Sequence, residues 1–465
     1  MLSIDRLDVF LKKLYFDVVC GGRTRDAGFI VSLYRKHILR RTGGVEPPDL
    51  NRAEHHVRKS CIEDYEREAL ALYHSVSENG FRTDRTIALS DDLLLVNGAH
   101  RLAVALSLGL GSIPVERSAY GGIWGADWFR RYFSNTEYLF LLKEYASFRL
   151  KSAPVLLWGI VEEFWGDFIV GLRQRGMKVA IVQVLDVHDN FDGFYRLIHE
   201  LYGVEPQSND NIRRKAIIHG SYSTKIAVLH VEPEPGAGFE QDFYERLGKI
   251  KYEIRDEFNE RIAKLLFLTL HAPDSEAEKQ RMLNLLFSPG SLRFYRLFRF
   301  SDISIDRALL QTIAGFKTAL EQVGLSINEV CVVGSAVLGV CGVRQPADID
   351  FVVSSDLDSA FYKEALITYG EYDLLLNGYS LKMRTGNVST DEVIHSSRYH
   401  FFISGLKFAD PFYVFLKKKL TGLEKDVVDQ RLMKEAIRHR CGDKRSRFMR
   451  DELLWLEGVV RGGVL

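Results

Sequence analysis

Two carboxylates stand two residues apart in the segment Val330–Val353, VCVVGSAVLGVCGVRQPADIDFVV. The apolar run Val330–Val333 reads as a buried strand that ends in Gly334-Ser335. A short spacer follows, and Asp348-Ile349-Asp350 then opens a second apolar strand, Ile349–Val353. Residues i and i+2 of a strand face the same way, so Asp348 and Asp350 are expected side by side. Adjacent carboxylates repel unless a cation lies between them. Mg²⁺ (or Mn²⁺) suits that place, because it takes hard oxygen ligands and commonly combines one or two carboxylates with substrate phosphates. Gly334 lets the backbone approach a triphosphate, and Ser335 offers a hydroxyl and an N–H to it. Such a set supports attack on a phosphorus atom of a nucleoside triphosphate (NTP). Asp-x-Asp alone is a common strand edge. The Gly-Ser ahead of it, behind an amphipathic helix, gives it weight.

This pattern resembles the nucleotidyltransferase superfamily related to DNA polymerase β, marked by Gly-Ser, a spacer and Asp-x-Asp within a strand. The resemblance covers the chain from about Ser304 onward. Lys417–Asp429, KKKLTGLEKDVVD, also looks like the Lys…Lys-Asp-x-x-Asp helix of minimal, antitoxin-type members. That likeness implies that Lys425 and Asp426 line the same cleft. It further implies a third carboxylate on a later strand, for which Glu371, Asp373 and Asp410 all stand open.

A second chemical signal lies in Leu93–Val115, LLLVNGAHRLAVALSLGLGSIPV. It reads as a strand over Leu93–Val96, a turn at Asn97-Gly98-Ala99, a helix over His100–Leu108 and a strand over Ile113–Val115. The helix start carries partial positive charge, and Arg101 adds a fork for phosphate oxygens. His100 could donate a hydrogen bond or move a proton. The segment resembles the ParB/sulfiredoxin superfamily through Gly98, His100 and Arg101, while Asn97 and Ala99 depart from its pattern. The resemblance implies nucleotide binding at this turn and, as in some members, small-molecule kinase activity.

The middle of the chain is less specific. Lys215 and Lys225 flank a predicted strand turn, and Lys251 and Arg255 lie four apart on one helix face. His271, Asp274, Glu276 and Glu278 follow in LHAPDSEAEKQ, where Asp274 or Ser275 serves as a helix N-cap and Glu278 closes a capping box. The block loosely resembles modules of bacterial surface-glycan biosynthesis proteins that precede a Gly-Ser…Asp-x-Asp domain. That likeness implies that Lys251, Arg255, His271 and Asp274 bind a phosphorylated or sugar-nucleotide substrate. His55-His56 reads as an exposed helix pair.

The elements that must position these groups fall into three blocks of an α/β (α+β) chain. They are a ParB/sulfiredoxin-like domain over 1–152, an α/β middle domain over 153–303 and a nucleotidyltransferase-fold domain over 304–465. In the first, an aromatic amphipathic helix is expected over Asp127–Tyr145. In the second, strands Val155–Trp158 and Val179–Leu185 flank a helix over Ile160–Arg175, which suggests a parallel unit. A strand over Ile226–Val231 and a long helix over Gln241–Leu268 follow. In the third, Leu309, Ile313, Phe316, Leu320 and Val323 form one apolar stripe on a helix over Ile305–Val323.

With 465 residues, two or three domains are expected. Lys+Arg and Asp+Glu both number 62, so the net charge is zero, which argues against a general nucleic-acid coat. The five cysteines form no CxxC pair, which points away from a disulfide framework and toward a reducing cytoplasm. Charges near the N-terminus break any signal-peptide core, and no membrane span is expected.

The leading expectation is a metal-dependent transferase that moves a nucleotidyl or phosphoryl group from an NTP to a sugar or glycan-precursor hydroxyl in bacterial surface polysaccharide biosynthesis. Three alternatives remain: a small-molecule kinase using the Gly98–Arg101 turn, an inert nucleotide-sensing or antitoxin-like binding protein, and a glycosyltransferase using a nucleotide sugar.

Overall fold

Apolar periodicity sets the first helices. Leu7, Phe10, Leu11 and Leu14 recur at three and four residues along the helix Leu7–Val19, and all are buried. The computed structural model describes residues 2–45, 59–82, 86–91, 93–118, 124–187, 191–203, 209–234, 242–259, 269–297, 303–354, 372–374 and 388–440. His55-His56 and Glu371 lie outside them. The structure is mixed α/β with three small sheets among the described residues. The chain divides into two units: Met1–Lys151 with Gly176–Ile181 and Val231–Phe239, and Ser152–Arg175 with Val182–His230 and Glu240–Leu465.

In the first unit, strands β1 (Ile87–Leu89), β2 (Leu95–Asn97) and β3 (Val115–Arg117) form a sheet in the order β2-β1-β3. β1 runs antiparallel to β2 and parallel to β3. The helix Ala99–Ser107 leaves β2 through Gly98. The aromatic stretch is two helices rather than one, Ala126–Tyr132 and Asn135–Phe148. Ser134 breaks it, because its side chain caps Glu137 N–H while Glu137 reaches back to the Ser134 N–H in a reciprocal capping box. That local satisfaction outweighs the continuous aromatic stripe.

A four-stranded sheet contains β4 (Ala153–Trp158), β5 (Met177–Asp186), β6 (Lys225–Pro233) and β7 (Leu270–His271), in the order β5-β6-β4-β7. β6 lies between β4 and β5, so the strand–helix–strand segment does not place its two strands as neighbours. β7, too short to read from pattern, pairs antiparallel with β4. The helix expected over Gln241–Leu268 is described over Phe243–Asn259.

The second unit ends in a five-stranded sheet. β8 (Val330–Val333), β9 (Ile349–Val353), β10 (Tyr372–Leu374), β11 (His400–Ile403) and β12 (Leu406–Ala409) lie in the order β10-β9-β8-β12-β11. β8–β9 and β11–β12 pair antiparallel, and β9–β10 and β8–β12 pair parallel. β11 and β12 form a tight hairpin through Ser404-Gly405, both at positive φ, the turn whose twist matches that of its strands. The helix Ile303–Gln322 buries Leu309, Ile313, Phe316 and Leu320, as its stripe predicts.

Residues of the middle block hold this sheet. Arg293, buried, meets the buried carboxylate of Asp410 at 2.8 Å. Tyr295 donates to the Phe402 carbonyl at 3.0 Å, and Phe294 stacks on Phe401 at 4.1 Å. The Glu200 carboxylate accepts from the Ser404 N–H at 2.8 Å. No helix among the described residues is long and apolar enough to cross a membrane.

Candidate functional site

β8 and β9 bring the Gly-Ser and Asp-x-Asp elements together. Val333 lies opposite Asp350 in their ladder, and the chain leaves β8 at Gly334. Gly334 has φ +66° and ψ −139°, a region open in practice only to glycine. A Cβ there would stand 2.0 Å from Asp350 Oδ2, so the Asp350 carboxylate lies directly against the Gly334 backbone. Ser335 opens the six-residue helix Ser335–Val340, and its hydroxyl donates to Asp348 Oδ1 at 3.3 Å. Asp348 precedes β9 and Asp350 lies within it, both half-buried. Gly334→Ala is therefore expected to cost about 1–3 kcal/mol in backbone strain and to displace Asp350. Urea unfolding measures this. A variant of wild-type stability would show that the carboxylate is not seated there.

The helices Pro411–Thr421 and Glu424–Arg440 add cations and further acids. Burial pulls the Lys417 ammonium down to about 8, against the opposing attraction of Asp350, which places this cation in the field of that carboxylate. Arg344 grips Asp429 with two donors, at 2.6 and 3.1 Å, and also feels Asp348. Lys418 bridges Asp426 at 2.9 Å and Asp429 at 2.8 Å, and Thr421 donates to Asp426 at 2.6 Å. Burial opposes ionisation of both acids. Lys418 and Thr421 outweigh it at Asp426, and Arg344 and Lys418 do so at Asp429, so both titrate below the usual carboxylate range. Lys425 lies on the exposed face of its helix, one residue out of phase with Asp426 and Asp429.

Among the described residues, no group of three His, Cys, Asp or Glu side chains could hold a metal ion. The backbone register bears on the third carboxylate, however. β10 runs parallel to β9 with Asp373 directly opposite Asp350. Asp410 is committed elsewhere, accepting from the Phe412 N–H at 2.9 Å as an N-cap and pairing with Arg293.

In the first unit, Gly98 adopts φ +92° at the start of the helix Ala99–Ser107. The Arg101 guanidinium turns back to donate to the Thr86 carbonyl and packs over Gly98, where a Cβ would meet it at 3.3 Å. His100 Nε2 lies 3.0 Å from the Tyr34 hydroxyl. Burial, with the Lys12 and Arg41 charges, pushes its imidazole well below the usual histidine range. This turn thus brings Gly98, His100 and Arg101 together, with Arg101 engaged by the backbone.

In the middle block, Lys251 bonds Asp274, and Arg255 donates to the Leu270 carbonyl at 2.6 Å beside His271. All four predicted residues therefore meet. Ser275 is the N-cap of the helix Glu276–Leu286, and Glu278 reaches back to the Asp274 N–H at 2.7 Å rather than to Ser275.

No protein-family model, no curated protein and no solved structure matches the chain. The chemistry of the groups thus carries the functional reading. At the β8–β9 site, two carboxylates are held in place by a glycine contact and a serine hydroxyl, and cations stand beside each. Two such acids with substrate oxygens make an adequate donor set for Mg²⁺ or Mn²⁺. The sequence pattern gives no role to Lys418 or Arg344, and within the Lys417–Asp429 segment it places only Lys425 and Asp426 at the cleft, not Lys417 or Asp429. The i, i+3 spacing of Asp426 and Asp429 was the available signal, since it puts both on one helix face.

Proposed function

We propose that the second unit is a nucleotidyltransferase-like enzyme. It transfers a nucleotidyl or phosphoryl group from an NTP to a hydroxyl of a sugar or glycan precursor. The observation that carries this reading is the seating of the Asp350 carboxylate on the left-handed Gly334, with Asp348 held by Ser335. Asp348 and Asp350 would hold Mg²⁺ or Mn²⁺, with Asp373 as the third carboxylate from its register beside Asp350. The metal supplies neutralisation of developing phosphate charge. The chain supplies position. Gly334 leaves no side chain between Asp350 and the backbone, and Ser335 orients Asp348. Lys417 is the cation offered to phosphate oxygens near Asp350. Arg344 and Lys418 hold Asp426 and Asp429, which fixes the two C-terminal helices against the site. The acceptor class and a place in bacterial surface polysaccharide biosynthesis rest on the resemblance of the middle block.

The test is calorimetric titration of the full chain and of the Asp348→Ala/Asp350→Ala variant with each NTP and Mg²⁺. Pyrophosphate and nucleoside diphosphate are followed in the same mixtures. The expected result is metal-dependent binding with pyrophosphate release in the wild type and neither in the variant. Equal diphosphate release by both proteins would move the chemistry to Gly98–Arg101 and make it a kinase reaction. Absence of binding in both would leave an inert binding scaffold.

A further inference from the structure

Outside the carboxylate site, the second unit places a lysine in an aromatic setting. Lys215 lies half-buried on the helix Asp210–Tyr222. Its side-chain nitrogen bonds the Tyr202 hydroxyl and lies over two rings, 4.6 Å from the centroid of Tyr202 and 5.6 Å from that of Trp158. Trp158 ends β4, and Tyr202 ends the helix Phe191–Tyr202. Burial is the largest influence on this amine. The charges of Arg255 and Lys251, on the helix Phe243–Asn259, act in the same direction, and Glu278, on the helix Glu276–Leu286, opposes them. Together they pull Lys215 down from 10.5 to about 7. At neutral pH a large share of Lys215 is therefore the neutral amine, the form with a lone pair to attack an electrophile.

Three polar atoms of its neighbours have no hydrogen-bond partner among the described residues. They are both ring nitrogens of His219 and the indole nitrogen of Trp158. Both residues are fully buried, and their rings stack at 4.3 Å. His219 follows Lys215 by one helical turn on the same face. Burial and then the Lys215 charge pull its imidazole down to about 3, so it is neutral at pH 7. Buried polar groups are normally paired, and leaving them unpaired is costly. A ligand hydroxyl beside the amine satisfies them, because a neutral imidazole donates from one nitrogen and accepts at the other, and the indole donates. Tyr202 adds a donor. Burial pushes its hydroxyl above the ordinary phenol range, so the proton stays on.

We infer that Lys215 is an amine nucleophile that forms a Schiff base with a small hydroxy-aldehyde or hydroxy-ketone. The nitrogen lone pair bonds the carbonyl carbon, and the carbonyl π pair moves to oxygen. One proton passes from nitrogen to that oxygen, which gives a carbinolamine. Its hydroxyl then leaves with the remaining nitrogen-bound proton as water, and C=N takes its place. Carbonyl compound and amine thus give imine and water, with no change of oxidation state. Tyr202 donates to the carbonyl oxygen, and His219 and Trp158 hold the ligand hydroxyl. The step does not depend on the Asp348–Asp350 chemistry.

The probes are glycolaldehyde and propionaldehyde, each added to the full chain with cyanoborohydride, which reduces an imine to a stable secondary amine. Peptide mass mapping reads the rate at each lysine. At pH 7, glycolaldehyde is expected to label Lys215 at least about tenfold faster than Lys249, whose side chain is 63% exposed. The Lys215 rate should rise with pH and level off above about 7, once the amine is neutral. Propionaldehyde lacks the hydroxyl, and its Lys215 rate relative to Lys249 is expected to be about fivefold lower or less. Lys215→Met removes that adduct and keeps the one at Lys249. His219→Leu is expected to bring the two aldehydes within about twofold of each other at Lys215. Asp350→Asn is expected to leave every rate unchanged, which separates this site from the transfer site. If a variant does not fold, the wild-type pH profile and the comparison of aldehydes still decide the matter. The inference is overturned if Lys215 is labelled no faster than Lys249 at pH 7, or if its rate is still climbing at pH 10. Equal relative rates for the two aldehydes would overturn the hydroxyl-bearing ligand.

Discussion

Asp350→Asn is expected to slow nucleotidyl transfer about a thousandfold while the fold stays intact. The amide keeps the shape of the carboxylate against Gly334 but lacks the charge that would hold a divalent cation. A metal stabilises the transition state by several kcal/mol, and each ~1.4 kcal/mol is tenfold in rate. Asp373→Asn is expected to fall within about tenfold of Asp350→Asn, because the register puts the two residues on neighbouring positions of parallel strands. Asp410→Asn should behave differently. Turnover per folded molecule stays near wild type, and stability drops because Arg293 loses its buried partner. Pyrophosphate release at saturating NTP and Mg²⁺, read beside urea unfolding, separates these outcomes. Full activity in Asp350→Asn would remove the carboxylates from the reaction. Full activity in Asp373→Asn alone would confine the metal to two protein ligands.

The second large effect is expected in the first unit. Asp8 is fully buried and accepts from Arg6 at 2.8 and 3.0 Å and from Lys12 at 2.6 Å. Asp8→Ala would strand two buried cations, at a cost of about 3–5 kcal/mol. The pH dependence has a defined sign. Burial alone would raise the Asp8 pKa, but the Lys12 and Arg6 charges outweigh it and hold the carboxyl far below its usual range. A depressed folded pKa contributes stability above the unfolded value, and that contribution is lost as pH falls below about 4. Burial, only partly offset by Asp8, also pulls Lys12 down to about 8. Without Asp8 it loses its proton at a still lower pH, so the deficit of the variant should narrow as pH rises toward about 8 and stay level above it. Urea unfolding between pH 4 and 10 tests this. A deficit that does not change with pH would mean that Lys12 finds another partner.

Period and spacing made part of this legible. The i, i+2 placement of Asp348 and Asp350 and the strands around them follow from alternation and from apolar runs. Gly334 was readable because a strand that stops at Gly-Ser must turn sharply. Lys417 and Arg344 were not readable as neighbours of the carboxylates, because tertiary packing brings them there from elements about 70 and 5 residues away in sequence. Lys425 shows the limit of motif transfer. The helix phase turns it outward while its neighbour Asp426 turns in. At Ser134 the local signal was present, since Ser-Asn-Thr-Glu is a capping box, but the aromatic stripe masked it. Nor does alternation reveal a two-residue strand such as β7, which nevertheless carries His271.

The clasp between the middle block and the C-terminal hairpin has a consequence for how such a chain can be rearranged. Gly290 sits so close to His400 that a Cβ there would stand 2.1 Å from its carbonyl oxygen, and the Arg293–Asp410 pair lies wholly inside. A fragment beginning at residue 304 would keep the Gly-Ser and Asp-x-Asp residues. It would also bare Phe401, bury a lone Asp410 charge and open the hairpin to edge-to-edge aggregation. The segment that carries the carboxylates is therefore not a cassette that recombination could move alone. It travels with Glu200, Gly290, Arg293, Phe294 and Tyr295, which pack against its hairpin and its Asp410.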